Sequence, residues 1–442
     1  MFESDGVLYR QVNASYQAHY DLMVRSGLLQ ELTDGMLMVR HDEMPVGQDT
    51  RAFKVLRPER IPFVSYPFEW SFSQLRDAAL LTLDVQRRAL RRGMSLKDAS
   101  AYNVQFLRGK PILIDTLSLE THEDGAPWVA YRQFCQHFLA PLSLMARRDI
   151  RFGQLFRVFI DGVPLDLAST LLPKTSWLKP STLMHLHLHA LAQRKFAGGS
   201  KGGASKTTTI SMRSLAALIE SLDSAIKALR WTPAGTEWGD YYSDTNYTDE
   251  ASAEKQRLVS AFHDRVAPNT LWDLGANTGR FSRLASTRGI STVAFDIDAA
   301  AVEKNYRDIV SSGNTNELPL VLDLTNPSPA FGWASKERLS VSERGPADLV
   351  QALAIVHHLA ISNNVPLVKV SEYFAQLGRA LVIEFVPKSD SQVQRLLASR
   401  EDIFDGYTRE GFEAAFAEHF TIEAAELIRG SERVLYLMRK KA

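Results

Sequence analysis

Leu271-Trp-Asp-Leu-Gly-Ala-Asn-Thr-Gly-Arg-Phe-Ser282 is the stretch on which the fold turns. Its opening residues have the apolar character of a buried strand, and Asp273 lies close to that strand's end. Gly275 and Gly279 allow backbone conformations that a Cβ resists, and they let the chain approach a ligand closely. A helix follows. In a doubly wound sheet this strand–turn–helix order places a ligand at the carboxyl ends of the strands. The dinucleotide Gly-x-Gly-x-x-Gly spacing does not fit, because Thr occupies position 278.

Working outward, short apolar runs alternate with helical segments up to the C-terminus, the pattern of a parallel sheet covered by helices. Strands are expected near Thr270–Leu274, Ser291–Phe295, Leu318–Leu322, Asp348–Leu353 and Arg379–Phe385. Thr421–Ile428, a turn at Arg429-Gly-Ser-Glu432 and Arg433–Met438 then close the chain as a hairpin. Before the sheet, Ser211–Arg230 carries apolar residues at helical spacing, and Asp249–Ala267 reads as a second helix stopped by Pro268. The second strand ends at Asp296-Ile-Asp298, where an acidic side chain can accept ribose hydroxyls; Asp298 competes with Asp296 for that role. The third strand ends Asp323-Leu324.

The run Asp273-x-Gly275-x-Asn277-x-Gly279 resembles motif I of class I S-adenosylmethionine-dependent methyltransferases, and the closing hairpin matches their seven-stranded sheet. The resemblance implies S-adenosylmethionine as cofactor. It sets Asp273 near the methionine amino group and main-chain groups around Gly275 along the adenosyl part. It gives Asp296 the ribose, and it assigns the adenine to Asp323 and the Leu324 N–H. It also locates the chemistry after the fourth strand, at His357 and His358, where an imidazole can orient the acceptor or take its proton. Glu384, at the end of the fifth strand, would contact substrate or anchor Lys388. Asn326-Pro-Ser-Pro329 follows the third strand and ends in Pro, so it reads as a turn rather than an amino-methyltransferase motif. Trp238–Tyr247 is a candidate lid, or a segment packed against the preceding helix.

The chain length of 442 residues suggests more than one domain. Domains are expected at 1–195 and 210–442, joined by a Gly/Ser-rich linker at 196–209. The linker's glycines do not fall where a phosphate-binding loop needs them. In the first domain, Asp98 and Asn103 have the spacing of a kinase catalytic loop, and Asp115 falls where the metal-binding Asp would follow. Lys54 would be the phosphate-pairing lysine, yet no glycine-rich loop precedes it and Leu96 stands where a histidine is usual. The alternatives for this half are a kinase-like phosphotransfer or nucleotide-binding domain, and a helical domain whose Asp and Asn residues cap turns. A third reading makes the whole chain a non-enzymatic adaptor.

The fold class is therefore α/β: a Rossmann-like methyltransferase sheet behind a mixed, mainly helical, kinase-like region. This layout is similar to a bacterial group that includes rhizobial nodulation-associated methyltransferases, and it implies a carbohydrate or other small-molecule acceptor.

Charge and cysteine content narrow the setting. Lys plus Arg and Asp plus Glu both number 51, so nothing favours a general polyanion partner. Cys135 is the single cysteine, which excludes an internal disulfide and a multi-cysteine metal site. His185, His187 and His189 alternate with Leu; His185 and His189 share a helical face, but the adjoining Glu of a zinc motif is missing, so no metal is expected. The N-terminus lacks the basic and apolar regions of a signal peptide, and no run is long enough to span a bilayer. A cytoplasmic protein without membrane partners is expected.

Overall fold

The structure, a computed structural model, describes residues 1–47, 51–191, 209–233, 249–398 and 400–441. The linker at 196–208 and the aromatic loop at 238–247 therefore lie outside the described residues. The chain divides into two compact units, Met1–Thr232 and Pro233–Ala442.

The first unit is mixed. A four-stranded antiparallel sheet orders Phe2–Ser4, Val7–Asn13, Ala52–Pro58 and His41–Met44 side by side. The long helix Phe72–Arg91 starts where expected: Ser71 accepts from the Gln74 N–H while Gln74 answers the Ser71 N–H, a capping box. The helix Met212–Ala228, expected with the sheet domain, belongs to this unit. Arg87 holds it through Glu220 at 3.0 Å and Asp223 at 3.4 Å. The structural division thus falls some twenty residues beyond position 210.

The second unit is a seven-stranded sheet flanked by helices. Its strands are β1 Thr270–Leu274, β2 Ser291–Asp296, β3 Glu317–Val321, β4 Ala347–Ala352, β5 Gly378–Phe385, β6 Phe420–Leu427 and β7 Val434–Lys440. Their spatial order is β3-β2-β1-β4-β5-β7-β6. Five strands run parallel, and β7 enters antiparallel between β5 and β6. This is the sheet with a closing hairpin that motif I implied. β4 and β5 are buried on both faces, which accounts for their continuous apolar runs. The order reverses beside β1, where β2 lies on one side and β4 on the other, so the crevice opens over the ends of these three strands.

Candidate functional site

Register aligns the strand tips. Leu274 of β1 lies opposite Phe295 of β2, and Asp296 opposite Val321 of β3. Asp273, Asp296 and Asp323 consequently stand at the ends of three neighbouring strands, and all three line one cavity of about 430 Å³. That volume is within the range of small-molecule sites. Leu324, Gly275 and Asn277 share the lining.

The turn after β1 is pinned to β2. Gly275 and Ala276 both donate their N–H groups to the Phe295 carbonyl, at 2.8 and 2.9 Å. The Asn277 N–H donates to Asp296 Oδ2 at 2.7 Å, and the Asp298 N–H reaches Oδ1 at 2.8 Å. Gly275 has φ +79°, and a Cβ there would meet Ile355 Cδ1 at 2.8 Å on the cavity wall. Glycine is needed on both counts. Gly279 also has positive φ, but a Cβ would strike Asn305 and Glu317 at 2.5 Å. Its neighbours are packing partners, and it is not among the residues lining the cavity.

The acidic residues differ in environment. Asp273 is buried and accepts from the Ser282 hydroxyl at 2.6 Å; burial pushes its carboxyl up to about 6. Burial likewise raises Asp296 to about 6, against the pull of its two backbone donors. Asp323 is more open and accepts from the Thr325 N–H and hydroxyl at 2.8 and 2.6 Å. Asp298, the competitor for the ribose, instead caps the helix Ala299–Ser312 through the Ala300 N–H at 2.8 Å and does not line the cavity. It is a helix cap, as short acidic side chains at strand-to-helix turns usually are.

The histidine pair divides. His358 lines the cavity, whereas His357 is buried and stands outside the lining. Their rings lie 4.1 Å apart. Burial, then the nearby Arg433 guanidinium, lowers His358 to about 4. His357 is held well below the usual imidazole range by burial, His358, Arg433 and Lys255. Both rings are neutral near pH 7.

Sequence reasoning missed Lys255 and Arg433. Lys255, on the helix Asp249–Val266, lines the cavity and pairs with the fully buried Glu384 at 2.6 Å, with its ammonium 4.7 Å over the Phe281 ring. Arg433 holds the other side of Glu384 at 3.3 Å and Asp390 at 2.7 Å. Glu384 therefore braces these two cations; Lys388 pairs with Asp402 instead. One signal was available: Lys255 falls in register with Ala251, Leu258 and Phe262 on the buried face of its helix.

In the first unit, the kinase-type residues are engaged locally. Lys54 pairs with Glu43, and Asp115 pairs with Arg10 while accepting from the Leu117 N–H at 2.9 Å. Asp98 accepts from the Ser100 N–H at 3.0 Å and from Gln133 at 2.8 Å; Asn103 donates to Ser118 at 3.4 Å. These bonds describe turns and ion pairs, and they lend the kinase-like expectation no support. His185 bonds Tyr131 at 2.7 Å and Ser221 at 2.9 Å; His187 bonds Ser169 at 2.7 Å and Ser176 at 2.8 Å. Both are core residues rather than an open helix face. Among the described residues, no His, Cys, Asp or Glu cluster is arranged to hold a metal.

No family model matches the chain. The nodulation protein NoeA of Rhizobium meliloti (strain 1021) is 38% identical over 392 residues, an alignment spanning 88% of this chain and 82% of that protein. The chain belongs to the NoeA family. The resemblance to a rhizobial nodulation-associated group, read from the layout of the chain, is borne out over most of its length, without support for the kinase-like front. Among solved structures, magnesium protoporphyrin IX methyltransferase from Synechocystis PCC 6803 overlaps 46% of this chain and 93% of its own, at 17% identity and TM-score 0.32. N-methyltransferase NodS from Bradyrhizobium japonicum WM9 overlaps 44% and 98%, at 12% identity and TM-score 0.33. The fold of this NoeA-family chain rests on its strand order and its turn geometry, not on these overlaps.

Proposed function

We propose that this NoeA-family chain is a class I methyltransferase that uses S-adenosylmethionine to methylate a small molecule, with a carbohydrate as one such acceptor. A single observation carries the reading: Asp273, Asp296 and Asp323, each at the tip of a different strand, line one nucleoside-sized cavity. The donor set suits this cofactor. Two buried carboxylates with raised pKa values await compensation, and an amino group and a ribose diol supply it. Replacing Gly275 would push a Cβ into the cavity wall.

When bound, S-adenosylmethionine supplies an electrophilic methyl group on a sulfonium. Asp273 would hold the amino group, Asp296 would accept hydrogen bonds from the ribose hydroxyls, and Asp323 with the Leu324 N–H would read the adenine. The turn at Gly275–Asn277 borders the adenosyl part. His358 lines the same cavity, and its neutral ring would accept the hydrogen of an acceptor hydroxyl or amine and so orient it. Its lowered basicity makes it an orienting group first and a proton acceptor second. Lys255, pinned by Glu384, places an ion-paired amino group at the cavity wall, where burial lowers its pKa. No helix among the described residues is long and apolar enough to cross a membrane.

Isothermal calorimetry tests the core of the reading. Wild type binds S-adenosylmethionine, and Asp296→Asn weakens binding while the protein stays folded; absence of binding by wild type removes the proposal. Incubation of cell extract with enzyme and labelled methyl donor, followed by mass spectrometry, then identifies the acceptor.

A further inference from the structure

The first unit carries a surface that the proposed chemistry does not use. Between Asp166 and Glu220 the sequence contains no acidic residue but seven lysines and arginines, in a chain whose 51 basic and 51 acidic residues balance overall; Lys174, Lys179 and Arg213 are the ones among the described residues. Within this stretch, Lys174–Leu178 forms a short turn of helix, and a second helix runs from Pro180 through Leu183–His187 to residue 191. His185, Leu186, His187 and Ala190 bury one side of that helix. Met184, Leu188 and Leu191, spaced by four and three residues, leave the other side apolar and about half exposed. Trp177 stacks on His187 at 4.1 Å and 9°, which brings the preceding turn against the same helix. Leu178 beside it is 82% exposed. Lys174 and Lys179 flank the two apolar residues, are exposed, and make no ion pair among the described residues.

Such a surface needs an occupant that takes apolar side chains and several positive charges together. A single exposed leucine is ordinary, but exposed apolar residues gathered together and rimmed by lysines mark an interaction site. A neutral protein patch would leave the charges unanswered, and a bare polyanion would leave Leu178, Leu188 and Leu191 in water. An anionic bilayer satisfies both requirements: acyl chains receive the leucines, the interface receives the indole, and phosphates face the lysines. We propose that Trp177, Leu178, Leu188 and Leu191, ringed by Lys174 and Lys179, form a docking surface that seats this protein on an anionic membrane. Lying on a bilayer is distinct from spanning one, so the surface is compatible with the lack of a membrane-crossing helix among the described residues.

The test is cosedimentation of the full chain with vesicles of phosphatidylcholine alone and of phosphatidylcholine containing about one-third phosphatidylserine. Binding is expected only to the anionic vesicles, and it weakens as salt rises. The double variant Lys174→Glu/Lys179→Glu lowers vesicle affinity by about thirtyfold or more. Leu178→Ser lowers it by about tenfold. Neither changes S-adenosylmethionine affinity or the melting temperature, which separates this proposal from failure of the methyltransferase reading. No binding to anionic vesicles, or binding unaltered in both variants, overturns it. So does equal affinity for single-stranded RNA, or a dimer that Leu178→Asp splits, because the surface then serves a polyanion or a second copy.

Discussion

Asp296→Asn separates recognition from stability. In the native chain, both carboxylate oxygens of Asp296 already take backbone N–H groups, at 2.7 and 2.8 Å, and the side chain borders the cavity. Its pKa rises from 3.8 to about 6, with burial the largest cause. The folded state therefore holds its proton more tightly than the unfolded chain. Stability contributed by the protonated form is complete below about 4 and is lost as pH rises through about 6, an ionisation cost near 3 kcal/mol at neutral pH. Asparagine removes that cost but keeps one acceptor oxygen, while its amide nitrogen opposes one of the two N–H donors. These effects offset, so the melting temperature stays within a few degrees of wild type. Binding behaves differently. A charged acceptor contributes about 1.5–3 kcal/mol per hydrogen bond to a hydroxyl donor, so S-adenosylmethionine affinity falls by about a hundredfold. Calorimetry between about pH 5 and 8 adds a second reading: wild-type affinity weakens below about 6 as Asp296 and Asp273 protonate, and the Asp296→Asn profile is shallower. A folded Asp296→Asn protein with wild-type affinity and pH dependence would refute the assignment of this carboxylate to the cofactor.

His358→Asn is expected to lower methyl transfer by about tenfold to a thousandfold while S-adenosylmethionine affinity is retained, measured with labelled donor and extract. Because His358 titrates at about 4, the wild-type rate carries no imidazole inflection near 6.5, and a step there would argue for another group. His357→Asn, outside the cavity lining, changes thermal stability more than turnover. Lys255→Met strips the buried Glu384 of the Lys255 ammonium; a loss of about 3–5 kcal/mol, read as a melting temperature about 10 °C lower, is expected by calorimetry. The double variant Lys255→Met/Glu384→Leu recovers part of it. Gly279→Ala drives a Cβ against Asn305 and Glu317 in a left-handed conformation, and urea unfolding should show a loss of about 2–4 kcal/mol.

Residue order alone determined the sheet. β1 spans the expected Thr270–Leu274, and the other six strands begin and end within two residues of the apolar runs that announced them. Alternating strands and helices, closed by a hairpin, admit few ways to bury their apolar faces, so periodicity carries most of the architecture. The three strand-end carboxylates were legible for the same reason: parallel strands bring their carboxyl ends to one edge.

Contacts between distant segments could not be read that way. Whether Asp296 or Asp298 faces the cavity depends on where the helix Ala299–Ser312 begins, because the side chain that caps it is drawn away from the cavity. His357 and His358 are adjacent in sequence, yet one is enclosed and one lines the cavity, a difference set by how the segment after β4 coils. Lys255, Glu384 and Arg433 come from three separate segments; Glu384 was legible as a strand-end carboxylate but with Lys388 as its partner, and the two cations read alone were ordinary charged residues. Their pairing exists only once packing removes water from all three. Local pattern determines elements and their edges, because hydrophobic burial acts on every few residues. Partner choice among buried charges belongs to the tertiary structure, because desolvation makes a charge's stability depend on whichever opposite charge the fold brings beside it.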